Sequence, residues 1–153
     1  MSDFSPFEKR LSALIAALSP AGRRRMAQDI AKTLRTRQQQ RIKAQKAPDG
    51  SAYTPRREQP ARAKQGRVKR EMFVKLRTSR FMKATGSSDA AVVEFTGKVQ
   101  RIARVHQYGL IDAPSHNSER IRYPMRQLLG FSLRDIDFIK SSIINHLSDT
   151  SES

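Results

Sequence analysis

The sequence predicts an α+β fold, in which an N-terminal helical pair, a small antiparallel β element and a C-terminal amphipathic helix share one core and a basic arm fills the middle. Three observations carry this. Ser5-Pro6 and Ser19-Pro20 each open an apolar pattern of helical period. Ala91-Val92-Val93-Glu94-Phe95 follows the turn-like Gly86-Ser87-Ser88-Asp89. Ser132-Leu133-Arg134-Asp135 precedes the clearest helical stripe in the chain. At 153 residues the chain suits a single domain spanning 1–153.

The first helix starts at Ser5-Pro6-Phe7-Glu8, where serine caps, proline fits the first turn and glutamate completes a capping box. Phe7, Leu11, Leu14, Ile15 and Leu18 then recur three and four apart. Ser19-Pro20 repeats the start signal. Met26, Ile30 and Leu34, with Ile42 beyond, form a narrow stripe on a second helix whose other faces are basic. Run from Pro20 to Lys46, that helix would be about 40 Å long, longer than the core it serves. Its C-terminal half, with Gln38-Gln39-Gln40-Arg41, is expected to project or to pack on another subunit. Pro48-Asp49-Gly50 supplies the turn that ends it.

Residues 47–70 carry Pro48, Pro55, Pro60 and many cations with few apolar side chains, the composition of a mobile arm. Met72, Phe73 and Leu76 have helical spacing. Two strands around Gly86 then predict a β-hairpin over residues 80–96. Val99, Ile102, Ala103 and His106 mark one face of a short helix closed by Gly109, and residues 110–120 read as a loop. On the last helix Leu133, Ile136, Ile139, Ile143 and Leu147 recur at helical spacing with Phe138 alongside, and residues 148–153 are expected to fray. The expected core is Phe7, Leu11, Leu14, Ile15, Leu18, Met26, Ile30, Leu34, Val93, Phe95, Ile102, Ile136, Ile139, Ile143 and Leu147.

Composition narrows the chemistry. With no cysteine, disulfides, thiolate metal sites and cysteine nucleophiles are excluded. No apolar run approaches the roughly 20 residues of a membrane span, so a soluble chain without a secretory signal is expected. His106, His116 and His146 have no partner at metal-ligand spacing, and no nucleophile elbow, phosphate-binding glycine loop or carboxylate pair is present, so neither an enzyme nor a cofactor is expected. His106 suits a hydrogen-bonded structural position near a helix end. Asp135 and Asp137 read as an N3 cap and a solvated charge.

The net charge is +16, and residues 23–80 hold 19 Lys and Arg against 4 Asp and Glu, which places +15 of it there. Such a density exceeds what solubility needs and points to an acidic partner. The candidate partner-facing or DNA-facing cations are Arg23, Arg24, Arg25, Arg35, Arg37, Arg41, Lys43, Arg56, Arg57, Arg62, Lys64, Arg67, Lys69 and Arg70. Between Arg23 and Arg70 the only aromatic is Tyr53, which favours phosphate neutralisation or protein docking over stacking on bases. A sequence-independent nucleic-acid binder using residues 23–80 is the alternative reading.

Four blocks carry a resemblance: Gln45-Lys46-Ala47-Pro48-Asp49-Gly50 with Tyr53-Thr54-Pro55-Arg56; Met72-Phe73-Val74-Lys75-Leu76-Arg77; Arg101-Ile102-Ala103-Arg104-Val105-His106-Gln107-Tyr108-Gly109; and Tyr123-Pro124-Met125-Arg126-Gln127-Leu128-Leu129-Gly130-Phe131-Ser132. In this order they resemble the phage virion morphogenesis family. The resemblance implies a non-enzymatic structural protein of the virion, made in the host cytoplasm, that completes the tail and allows it to join the DNA-filled head. It also implies a homo-oligomeric ring at the head-proximal end or neck, most naturally a hexamer. Its partners would be tail tube or sheath and head connector proteins, with packaged DNA as a non-specific neighbour and no membrane. Arg104, His106, Gln107, Tyr108, Tyr123 and Arg126 are then candidate interface or fold residues.

Overall fold

The computed structural model describes residues 6–56 and 71–151. The elements are helices α1 (Pro6–Ala16), α2 (Pro20–Lys43), α3 (Gln100–Tyr108) and α4 (Leu133–Ser151), and strands β1 (Met82–Gly86), β2 (Ala91–Phe95), β3 (Ile111–Asp112) and β4 (Ile121–Arg122). They form two small sheets, β1-β2 and β3-β4, and the fold class is α+β. The described residues group into two compact units, one of 6–34, 84–93 and 133–151, the other of 35–56, 71–83 and 94–132.

In the first unit, Ser19 caps α2 as its sequence predicts, its Oγ accepting the Gly22 N–H at 3.0 Å. The corresponding Ser5 of α1 and the Phe7 side chain lie outside the described residues. Met26, Ile30 and Leu34 of α2 form the buried stripe. Ile15 and Leu18 pack on it, as do Val93 of β2 and Phe138, Ile139 and Ile143 of α4. Ala27 and Ala31 are buried beside the stripe, small enough for close approach. Gly86 of β1 uses that room: a Cβ there would lie 2.3 Å from the Gln28 backbone nitrogen. Glu8 and Lys140 pair at 3.6 Å between α1 and α4.

Three residues expected in the core are instead exposed: Leu14, Ile102 and Ile136. Leu133, at 83% exposure, also leaves the inner face of α4. For Leu133 and Ile136 the cause is rotation. Helix α4 turns Phe138 inward with Ile139 and Ile143, which swings the Leu133-Ile136 edge toward solvent. The helix runs to Ser151, and residues 152–153 lie outside the described ones.

In the second unit, the end of α2 does not project. Gln38 is 4% exposed and Ile42 is fully buried, continuing the i, i+4 spacing of the stripe through Lys43. The helix stops in a Schellman arrangement: Gln45 takes φ 60°, its N–H donates to Ile42 O at 2.8 Å, and Lys46 N–H donates to Arg41 O at 3.3 Å. Glycine usually fills such a position, and here the Gln45 side chain anchors it. Its amide donates to Met72 O and accepts from Met72 N–H, at 2.9 and 3.0 Å. Of the arm expected over residues 47–70, residues 57–70 lie outside the described residues. Residues 47–56 begin with a tight turn at Pro48-Asp49-Gly50, where Gly50 has φ 89° and Asp49 accepts from Ser51.

Residues 72–81 form successive turns, not a helix, and bury Met72, Phe73 and Leu76. Helix α3 ends at Gly109 (φ 64°), as its sequence predicts. It faces inward through Ala103 and Val105, not Ile102. The loop expected over residues 110–120 contains β3, which pairs with β4 in register Ile111 to Arg122 and Asp112 to Ile121.

Candidate functional site

The second unit is organised around an extended segment, residues 123–131, that has no regular hydrogen-bonded structure of its own. Side chains hold its backbone. Gln107 on α3 accepts the N–H groups of Leu128 and Leu129 at 2.8 and 2.9 Å and donates to Leu129 O at 2.8 Å. Gln38 donates to Gly130 O at 2.9 Å, and Arg41 donates to Leu128 O at 2.7 Å and to the Gln38 amide oxygen. Tyr53 donates its hydroxyl to Gln127 O at 2.8 Å. A buried backbone must find partners, and here polar side chains replace a strand or helix ladder.

Arg126 is the reciprocal tie. It is 5% exposed, its Nε donates to Thr54 O at 2.7 Å and its Nη2 to Pro55 O at 3.1 Å, while its own N–H donates to His106 O at 2.7 Å. Burial first, then the Arg56 charge, holds its pKa below the ordinary value.

An aromatic chain lies against the clamp. Tyr53 meets Phe73 edge-on with centroids 5.6 Å apart, Phe73 meets His106 at 4.8 Å and His106 meets Tyr123 at 5.1 Å. Phe73 sits here with φ 69°, a left-handed backbone that few aromatic residues adopt. His106 sits near the end of α3 as a structural residue: its carbonyl accepts from Arg126 N–H at 2.7 Å. Its ring Nδ1 is buried without a hydrogen bond among the described residues, and the ring packs between Phe73 and Tyr123.

Burial, with Arg126 and then Arg56 adding charge repulsion, lowers the His106 pKa to about 4 from the usual 6.5. The unfolded chain therefore takes up this proton at higher pH than the native one. The stability contributed by the neutral ring is complete above about pH 6.5 and is lost as pH falls toward about 4. A His106→Phe variant keeps the edge contacts and is expected to show a smaller fall in urea midpoint between about pH 7 and about pH 4.5 than wild type. An unchanged slope would place the pH sensitivity elsewhere.

The basic residues of α2 divide into two kinds. Arg23 closes the end of α1, with Nη1 donating to Leu18 O at 2.7 Å and Nε donating to Ser88 O at 3.0 Å. Arg41 holds the clamp, and Arg35 and Arg37 are partly buried. Arg24, Arg25, Lys43 and Arg56 are exposed. Arg57, Arg62, Lys64, Arg67, Lys69 and Arg70 lie outside the described residues.

The charge also sorts by unit. Among the described residues, the first unit holds 8 Lys and Arg against 6 Asp and Glu, and the second holds 16 against 5, so their net charges are +2 and +11. Gln38, Gln45 and Tyr53 went unnoticed as site residues in the sequence. The available signal was an amide at a stripe position, four residues from Leu34 and from Ile42.

Among the described residues no group of three or more His, Asp or Glu could hold a metal ion. The clamp gathers all four blocks that the sequence singled out. Gln45, Tyr53 and Thr54 come from the first, Met72 and Phe73 from the second, His106 and Gln107 from the third and Tyr123 to Gly130 from the fourth.

No solved structure matches the chain. The tail completion protein S of Escherichia phage P2 is 50% identical over 148 residues, covering 96% of this chain and 99% of that relative. The model of the phage virion morphogenesis family matches residues 2–148. With the match running through every block of the clamp and nearly the whole chain besides, the protein belongs to the phage virion morphogenesis family.

Proposed function

We propose that this protein completes the phage tail at its head-proximal end and allows the tail to join the head, acting as a non-enzymatic homo-oligomeric ring in the neck. The observation that carries this is the 50% identity to a tail completion protein over 96% of the chain. The clamp supports a structural role: its glutamines, arginines and tyrosine are committed to backbone groups, and His106 is packed between aromatic rings. Tail tube or sheath and head connector proteins are the partners in this reading, and residues 1–153 act as one domain with the basic segment 47–70 as its arm.

In a phage carrying this chain, removing its gene is expected to leave DNA-filled heads and separate tails that fail to join. Adding purified protein to that lysate should restore infectious particles. Normal virions without the gene would overturn the reading.

A second reading, contact with DNA irrespective of sequence, is favoured by the +11 concentrated in one unit. It expects duplex binding whose logarithm falls with log salt by about 0.9 per phosphate contacted. Protein that ignores duplex DNA at low salt would exclude it.

A further inference from the structure

We propose that Tyr108 and Met125, rimmed by Arg101, Arg104 and Arg120, form the surface through which this protein docks on an acidic protein face of the tail that carries apolar side chains at its centre. This rests on the tail-completion reading above. It adds the surface that meets the tail and the chemistry of what it meets.

The surface is built around the end of α3, within the second unit. Tyr108 is 62% exposed and Met125 is 65% exposed. Gly109 lets their segments meet, since a Cβ there would stand 3.0 Å from the Met125 backbone nitrogen and 3.2 Å from the Met125 Cβ. Arg101, Arg104 and Tyr108 follow one another at spacings of three and four and share one face of α3. The Arg104 guanidinium lies 5.9 Å from the centre of the Tyr108 ring. From the same face Arg101 reaches Asp112 of β3 at 2.7 Å. Ile121, which pairs with Asp112 across the β3-β4 ladder, stands beside that ion pair and is exposed. The Arg101 bond first, the Ala113 N–H next and the Arg120 charge last hold the Asp112 carboxyl below its ordinary pKa, so Arg120 is a neighbour of the same group. The chain is fixed one residue beyond Met125, where Arg126 N–H donates to His106 O at 2.7 Å and the Arg126 side chain donates to Thr54 O. Little ordering therefore remains to be done on binding.

Composition selects a protein as the occupant. The cores of protein interfaces are enriched in aromatic residues, Met and Arg and depleted in Lys, Asp and Glu, and their binding energy concentrates on Trp, Tyr and Arg. Tyr108, Met125 and Arg104 are that set at neighbouring positions. A nucleic acid would neutralise the arginines but leave Met125 and Ile121 nothing to bury against, and its bases stack on aromatic rings, whereas this surface is mostly aliphatic and guanidinium. Charge then selects an acidic protein. Residues 98–125 hold five Lys and Arg against Asp112 and Glu119, Asp112 is already bound by Arg101, and the unit as a whole carries +11. A second copy of the same surface would set arginine against arginine. Carboxylates on the partner would instead meet the exposed Arg104 and Arg120 in charge-assisted bonds around an apolar centre.

The test measures cosedimentation of the full chain with tails purified from a phage that lacks its gene. Met125→Asp removes the apolar centre and Arg104→Glu reverses a rim charge, both at exposed positions. Lys83→Glu, exposed on β1 of the same unit, makes the same change in net charge away from the surface. Unfolding midpoints confirm intact folds, and Arg104→Glu carries the test alone if Met125→Asp unfolds early. Wild type and Lys83→Glu are expected to bind tails within about twofold of each other, and the two surface variants at least about tenfold more weakly, as for loss of a central interface residue. Wild type that ignores tails would overturn the tail-completion reading itself. Tail binding that is equal in wild type and both surface variants would overturn only this surface. Lys83→Glu as weak as Arg104→Glu would mean that overall charge and not this surface is read, and would overturn the proposal. Surface variants that keep tail binding but lose duplex DNA, or lose self-association in sedimentation velocity, would assign the surface to nucleic acid or to a second copy and overturn it too.

Discussion

Gly86→Ala is expected to destabilise the protein by about 3 kcal/mol, the upper end of the range for overpacking, lowering the thermal midpoint by about 6–12 °C at this chain length. The reason is what the added methyl would meet. It would stand 2.3 Å from the Gln28 backbone nitrogen, 2.6 Å from the Ala27 carbonyl carbon and 2.7 Å from the Gln28 Cα. A side chain could swing aside, but a helix backbone held in its hydrogen-bond ladder cannot. The hairpin would have to lift from α2, loosening Val93 from the Met26-Ile30-Leu34 stripe. Gly97→Ala is the control, because nothing lies within 4 Å of its Cβ position and its backbone is not left-handed. It is expected to change stability by less than about 0.5 kcal/mol. Equal midpoints for the two variants in thermal unfolding would mean that β1 does not pack as closely on α2 as described.

The sequence is most legible where the deciding physics is local. Ser19-Pro20 announces a helix start because cap and first turn are neighbours in the chain, and Ser19 does cap α2. Gly109 announces a helix end because its φ of 64° suits glycine. Gly86 to Asp89 likewise marks the β1-β2 turn, and the α+β class follows from such signals. The clamp is legible only as four blocks. Its logic is non-local: Gln38 reaches Gly130, Gln45 reaches Met72 and Arg126 reaches Thr54, pairs separated by 92, 27 and 72 positions. A polar residue at a stripe position reads as the end of a buried face, yet Gln38 sits there because residues 128–130 need a partner. The rotation of α4 is hidden for a related reason. Ile136 and Phe138 lie within one turn, and only packing on α2 decides which of them turns inward.

Charge misleads in the same way. A window along the chain assigns +15 to residues 23–80, which joins Arg23 to Arg80 as one basic tract. The fold assigns Arg23, Arg24, Arg25 and Lys32 to a nearly balanced unit and adds Lys98, Arg101, Arg104, Arg120, Arg122 and Arg126 to the basic one. Some of these cations are also committed internally. Arg23, Arg41 and Arg126 donate to carbonyls, so their contribution is to hold backbone in place as well as to carry charge.

Gln107→Ala is the most direct probe of that backbone clamp, with an expected loss of about 2–4 kcal/mol. The side chain makes three bonds to two consecutive residues, accepting from Leu128 N–H and Leu129 N–H and donating to Leu129 O. Leu129 O keeps a second donor in the Gln127 amide at 3.1 Å, so the carbonyl is not orphaned. Among the described residues the two N–H groups have no such reserve. Leu128 is fully buried, and water would have to penetrate the unit to replace the lost acceptor. Gln100→Ala on the same helix is the comparison, since its amide makes a single bond of 3.2 Å to Phe95 O, and a loss of about 1 kcal/mol is expected. Urea unfolding gives the two losses, and hydrogen exchange locates them: the Leu128 and Leu129 amides should lose protection in Gln107→Ala before the α2 amides do. If Gln107→Ala instead matches Gln100→Ala and both amides stay protected, residues 123–131 are held by packing alone.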